Sequence, residues 1–200
     1  MNIIITAFNN ITENDIEYHA GKNILKRLPS EINGVQIKKV VLPLAFNSCF
    51  DVLKPQIDND TIAIISFGAA GGSCFAIERI CVNIMDSKGK DNEGYKASDE
   101  IIKRDGPNAY FTTLNFRRIE KALNEQNIPA IISNSAGLAL CNNIFYNVAY
   151  HAHKYNLNYV YGFIHVPHMK HSVNKNKYTM EISRLVQGAL IVISDCINNI

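Results

Sequence analysis

Two hundred residues suit one domain of slightly more than average size, read here as spanning 1–200, with enough chain for a substantial core. Hydrophobic residues make up 47% and charged residues 19%, which excludes a disordered chain. The formal net charge of +2, with basic residues spread along the chain, points away from nucleic acid or an anionic membrane as the main partner.

Residues 1–8 are apolar only over a short run and lack the basic start and length of a signal segment, so they read as a first strand. No run approaches the roughly 18 apolar residues of a membrane span. The five cysteines, Cys49, Cys74, Cys81, Cys141 and Cys196, are odd in number and widely spaced, with no CxxC pair. That pattern argues against a metal cage or a disulfide framework and fits reduced thiols in a cytoplasm.

The predicted elements alternate. Residues 2–6 form a strand and 8–15 a polar loop. A helix covers 16–28, with Asp15 as N-cap and Pro29 as its end. A strand over 35–42 is broken by Pro43, and a short helix covers 45–53. Residues 61–67 form a continuous apolar run, as in a strand buried on both faces. Residues 68–73 are a glycine-rich loop where the backbone must turn tightly or lie close to something. Alternation over 75–85 predicts one strand. Residues 86–106 are polar and charged, a loop with little apolar surface to pin it, and so a candidate mobile lid. Helix 116–127, strand 129–132, helix 142–155, strand 159–166, basic loop 168–177 and helix 178–197 complete the chain. Strands alternating with helices at this spacing predict an α/β sandwich around a mostly parallel sheet.

Three residues carry the candidate chemistry. Cys141 follows a strand and a Ser-Asn-Ser-Ala-Gly turn, at or near a helix start. There, unpaired N–H groups and the helix dipole favour thiolate. Taken alone, a buried free cysteine is an ordinary core residue. His165 ends a strand just before Pro167. In open α/β sheets the strand carboxyl ends carry the site, and adjacent parallel strands would bring the two loops to one edge. A histidine satisfied by backbone partners is the plainer reading. His151 and His153, two apart, do not share a helical face, which argues against a metal pair. Glu78 lies in an apolar strand, where an unpaired carboxylate is costly, so it is either ion-paired or functional. Such a carboxylate could hold the imidazole of His165 in one tautomer, leaving the other nitrogen to the thiol.

These segments resemble the pyroglutamyl peptidase I (pyrrolidone-carboxylate peptidase) family of cysteine peptidases. Ser133 to Leu138 through Cys141-Asn142 is similar to its nucleophile motif, and Gly162-Phe163-Ile164-His165-Val166-Pro167 to its histidine motif. Gly68 to Gly72 with Glu78-Arg79-Ile80 and Asn83 is similar to its glutamate motif. Asp105-Gly106-Pro107 with Ala109-Tyr110-Phe111 is a further shared block, and Thr6-Ala7-Phe8 resembles its first strand and loop. The resemblance implies a three-layer α/β/α fold and a Glu78–Cys141–His165 triad. It implies hydrolysis of peptides after an N-terminal pyroglutamate, no metal or cofactor, and assembly as a homodimer or homotetramer. Backbone N–H groups near Cys141 would form part of an oxyanion hole, worth roughly 3–4 kcal/mol per good donor.

The resemblance weakens around the substrate pocket, which it places at Phe8, Ile11, Ala69, Lys88 and Gly89. The family's Gly-Phe-x-Pro-Phe loop is Ala7-Phe8-Asn9-Asn10-Ile11 here, so Ile11 replaces a ring and the proline is lost. Ala69 and Ser73 stand where the family has Gln and Arg, and Lys88 and Gly89 where it has Arg and Ile. Lysine keeps the charge but loses the planar fork. Each fully buried apolar side chain lost removes about 1.5–3 kcal/mol. Altered selection of substrate is therefore expected before loss of chemistry. The alternatives are a catalytically weak member acting as a binding protein, and a cysteine hydrolase of another small N-acyl or lactam substrate.

Overall fold

The computed structural model describes residues 1–9, 19–170 and 178–198. Its centre is a seven-stranded sheet. The strands in chain order are β1 (Asn2–Phe8), β2 (Glu31–Ile32), β3 (Val35–Leu42), β4 (Thr61–Ala69), β5 (Phe75–Glu78), β8 (Ala130–Ser133) and β9 (Val160–Val166). Two short strands between β5 and β8, β6 (Ile80–Val82) and β7 (Ala109–Phe111), form a separate antiparallel ribbon. The sheet order is β2-β3-β1-β4-β9-β5-β8. The β3-β1-β4-β9 and β5-β8 pairings are parallel; β2-β3 and β5-β9 are antiparallel.

Alternation along each strand sends side chains to two cores. On one face Ile3, Ile5, Ile65, Phe67, Ile77, Ile164 and Val166 pack with Ile24, Ile119 and Leu185. Those three come from α1 (Ala20–Arg27), α3 (Phe116–Glu125) and α5 (Ile182–Ile197). On the other face Ile4, Phe8, Ile64, Tyr161 and Phe163 pack with Cys49 and Leu53 of α2 (Cys49–Leu53) and with Ile144, Phe145 and Val148 of α4 (Leu140–Lys154). Helices on both faces of a mostly parallel sheet match the expected α/β fold. Among the described residues no helix is long and apolar enough to cross a membrane.

Several boundaries differ from the sequence reading. The predicted helix 16–28 is α1 from Ala20, capped by His19, whose Nδ1 accepts the Lys22 N–H at 3.4 Å; the proposed cap Asp15 lies outside the described residues. The predicted strand 75–85 is two strands. At Arg79 the chain changes partners: its N–H donates to the Ser133 carbonyl, its own carbonyl accepts from Thr112, and β6 leaves the main sheet for β7. An alternating apolar pattern cannot report that change of neighbour, because both pieces bury one face. The closing helix begins at Ile182 instead of 178, because Thr179–Met180 pairs with His168–Met169.

Residues 86–106 are irregular, as expected, but polar bonds pin them. Met85 and Glu100 exchange both backbone bonds, and Ser87 N–H donates to the Ala97 carbonyl. The Asp91 carboxylate accepts the N–H groups of Phe46, Glu93 and Tyr95, each at 2.9 Å. Asn83 Nδ2 donates to the carbonyls of Lys103 and Gly106 while its Oδ1 accepts the Lys103 N–H. A sequence pattern shows the scarcity of apolar anchors in this loop but not these polar bonds.

Candidate active site

Glu78 and His165 meet on the α4 face of the sheet. Glu78 ends β5 and is 2% exposed. His165 sits in β9 with Ala76 as its register partner on β5, so the two side chains fall two residues apart along β5, on one face. His165 Nδ1 lies 2.7 Å from Glu78 Oε1. The second carboxylate oxygen, Oε2, is buried with no hydrogen-bond partner among the described residues. A buried carboxylate held by one bond depends heavily on the charge of that partner.

The Phe163 ring lies beside the imidazole, centroids 4.8 Å apart. On the neighbouring strand Gly68 leaves room for both: a Cβ there would stand 2.7 Å from Phe163 Cζ and 3.3 Å from His165 Cδ2. The glycine expected to lie close to something therefore lies against the histidine.

Cys141 reaches this pair by a route the sequence did not suggest. The strands β8 and β9 are not adjacent, and β5 between them runs parallel to one and antiparallel to the other. Their carboxyl ends therefore point in opposite directions, which corrects the expectation of two loops at one edge of adjacent parallel strands. Ser133 ends β8 level with Glu78. The chain turns through Gly137, with φ of +76°, and enters α4 at Leu140, so Cys141 is the second residue of the helix. The first bond of that helix runs from the Asn143 N–H to the Ala139 carbonyl. The N–H groups of Leu140, Cys141 and Asn142 thus precede the helical ladder, at its positive end.

Cys141 is half-buried at the border of the second core, and its thiol acts on the imidazole of His165. Burial alone would disfavour the imidazolium. Hydrogen bonding of the imidazole to Cys141 and Glu78, and the charges of both, outweigh it and lift the pKa of His165 from 6.5 to about 9. The other thiols are held neutral: burial pushes Cys49, Cys81 and Cys196 up to about 12 and raises Cys74. His151 and His153 have structural partners, the hydroxyls of Tyr159 and Tyr161, each 3.1 Å away.

A family model described as pyroglutamyl peptidase matches residues 1–199. The chain belongs to the pyroglutamyl peptidase family. It is 38% identical over 197 residues to a pyrrolidone-carboxylate peptidase of Thermosipho melanesiensis, covering 96% of both chains. It is 35% identical over 203 residues to one of Brachyspira hyodysenteriae, covering 100% of both. Its fold is that of the pyrrolidone carboxyl peptidase of the hyperthermophile Pyrococcus furiosus, known from crystal structures, with a TM-score of 0.92 at 33% identity over 99% of each chain.

Against that family background the expected pocket residues separate. Phe8 is buried in the core that Cys141 borders. Ala69 packs toward the opposite face, against the core of α1, α3 and α5, so its side chain is not gathered with the histidine. Lys88 and Gly89 are exposed, and a Cβ on Gly89 would meet nothing within 4 Å. Their loop is tied to the nucleophile loop by the Asp86 N–H donating to the Leu138 carbonyl at 2.9 Å. Ile11 lies outside the described residues.

The sequence reading gave no separate role to Asn142 and none to Asp91. Asn142 is fully buried and hydrogen-bonded to β6. The signal was present: a buried helix face should not carry asparagine without a partner. For Asp91, an acidic residue in a charged loop carries no such signal.

Proposed function

We propose that this chain is a cysteine exopeptidase that hydrolyses the amide bond after an N-terminal pyroglutamyl residue. The observation carrying this reading is the 2.7 Å contact of His165 with Glu78, on an imidazole whose pKa the Cys141 thiol also raises. Cys141 is the nucleophile. His165 takes the thiol proton, and a pKa raised to about 9 favours the imidazolium that results. The thiolate attacks the pyroglutamyl carbonyl carbon. The oxyanion forms near the N–H groups that open α4. The imidazolium gives its proton to the leaving amine, and Glu78 fixes the tautomer and offsets the positive charge. Water, deprotonated by His165, then releases pyroglutamate from the thioester.

The substrate side is read from Phe8 in the adjoining core, with Ile11, Lys88 and Gly89 as further pocket residues, and without the side chain of Ala69, which packs to the far face. The chain is read as one domain, working in the cytoplasm as a homodimer or homotetramer, with no metal or cofactor. The test is turnover of a fluorogenic pyroglutamyl amide under thiol reductant, beside Cys141→Ala. Turnover at least about 10³-fold above that variant is expected; equal rates would sink the reading. One second reading is another small N-acyl or lactam substrate, favoured by the exposure of Lys88 and Gly89, which leaves the expected apolar contact unmade. A panel of N-blocked dipeptide amides separates the two, and exclusive cleavage of pyroglutamyl amides removes the second.

A further inference from the structure

We infer that Asn142 is a positioning residue, whose carboxamide clamps the first turn of α4 to β6 and so sets where the Cys141 thiol stands relative to His165. The inference rests on Cys141 being the nucleophile. Asn142 is 0% exposed. Its Oδ1 accepts the Val82 N–H at 2.9 Å, and its Nδ2 donates to the carbonyls of Val82 and Ile84, each at 2.9 Å. Both amide hydrogens and the oxygen are thus engaged by three backbone groups. The reverse orientation would set the NH₂ against an N–H and the oxygen against two carbonyls, so the side chain has one register.

In the same turn Asn143 meets the sulfur atoms of Met85 and Cys49, but these are weak side-chain contacts, whereas Asn142 bonds backbone groups. The N-cap Ala139 offers no side-chain bond. The segment that receives Asn142 also donates the Asp86 N–H to the Leu138 carbonyl, so residues 82–86 grip the nucleophile loop on both sides of Cys141. Four residues before Val82, the same chain carries Glu78. The clamp therefore ties the thiol to the segment that runs on from β5, the strand that carries the histidine's partner. Asn147 provides the contrast: it is equally buried on α4, but its Nδ2 donates only to the carbonyl and Oδ1 of Asn143.

The test compares Asn142→Asp and Asn142→Ala with the unaltered chain and with Asn147→Ala. Aspartate keeps the acceptor for Val82 but loses both donors. Three readouts are taken: kcat and KM on a fluorogenic pyroglutamyl amide, the pH profile of Cys141 alkylation by iodoacetamide, and the thermal midpoint. Folded Asn142 variants should lose about ten- to a hundredfold in kcat with KM within about threefold, since a thiol displaced by about 1 Å misses its attack geometry. Their alkylation profiles should be displaced. Asn147→Ala should lower the midpoint and leave kcat and the profile in place. Folded Asn142 variants with unaltered kcat and profile would overturn the inference. Failure of both to fold would also overturn it, by making Asn142 a residue of the fold alone. Should the unaltered chain show no Cys141-dependent turnover, the peptidase reading fails, and the alkylation profile still decides the clamp.

Discussion

The two faces of the sheet are built from the same strands and differ in kind. Toward α1, α3 and α5 the buried side chains are mostly apolar, from Ile3 and Ile5 through Phe67 and Ile164 to Val192, with Asn23 of α1 a polar exception. Toward α4 the buried set includes Thr6, Ser66, Glu78, Asn142, Asn143 and Asn147, among Phe163, Phe145 and Tyr161. Thr6 Oγ1 donates to Ser66 Oγ at 2.8 Å, and the asparagines find partners in β6, α4 and the sulfur atoms of Met85 and Cys49. One face gains stability from area removed from water. The other accepts the desolvation of polar groups and satisfies them individually, at a gain of only about 0.5–1.5 kcal/mol per bond. Glu78 Oε2 is the exception, without a partner among the described residues and beside the group with the most chemistry to do. Within one strand, β9, Ile164 and Val166 serve the first purpose and His165 the second.

This contrast can be broken from either side. The largest effect is expected from Glu78→Gln, which removes the charge and leaves the shape. The imidazolium loses its counter-charge and the ring its fixed tautomer, so kcat should fall about 10²- to 10⁴-fold, measured on the pyroglutamyl amide. The fold should survive, because a neutral amide no longer buries an unpaired oxygen as part of an anion. A loss below about tenfold would mean that Glu78 is structural.

The opposite face should show the reverse pattern. Leu185 in α5 is 0% exposed in the apolar core. Leu185→Ala should cost about 2–5 kcal/mol of stability through lost transfer energy and a residual cavity, read by urea unfolding. Activity per folded molecule should be unchanged. A drop in kcat at constant folded fraction would show that the two faces are coupled through the sheet.

A third test is titration. The imidazole of His165 is raised from 6.5 to about 9 in the folded chain. Raised folded-state affinity for a proton stabilises the fold fully below about pH 6.5 and loses that stabilisation as pH climbs through about 9. The stability difference between the unaltered chain and His165→Asn should therefore shrink across that window, by at most about 1.4 kcal/mol per pH unit for one proton. A flat difference, read by urea unfolding at several pH values, would place the imidazole near its ordinary value.

Much of this was legible in the sequence, and the limits have physical causes. Cys141, His165 and Glu78 stood out because their residue types are costly or reactive where the pattern placed them. The helices α3 and α4 and the strands β1, β3, β4 and β9 followed from periodicity. What failed was neighbour identity. Periodicity reports which face is buried but not against which strand, so the change of partner at Arg79 and the antiparallel β5-β9 pairing were invisible. That error also misplaced the route by which Cys141 meets His165. Ala69 illustrates the same limit at one residue: a glycine-rich loop was expected from 68, β4 runs on into it as far as Ala69, and strand parity turns the side chain to the far face.

The smallest expected effect tests the rim, where neither face dominates. Residues 86–92 are exposed around Lys88 and Gly89, and polar bonds fix them in place of apolar contact. Asp91 is the hub, with three backbone N–H groups on one carboxylate and its own N–H on the Tyr95 carbonyl at 2.7 Å. Phe46, one of its donors, precedes α2, so Asp91 ties this loop to the α4 side of the molecule. Asp91→Ala leaves those donors to water and should cost only about 1–2 kcal/mol, because the site is partly solvated. Its larger signature should be a rise in KM of about three- to tenfold with kcat retained, since a loosened rim binds substrate less well without moving the thiol. Faster proteolytic nicking within 86–106 should accompany it. If KM holds while nicking accelerates, the loop is ordered for stability, and substrate is selected elsewhere in the pocket.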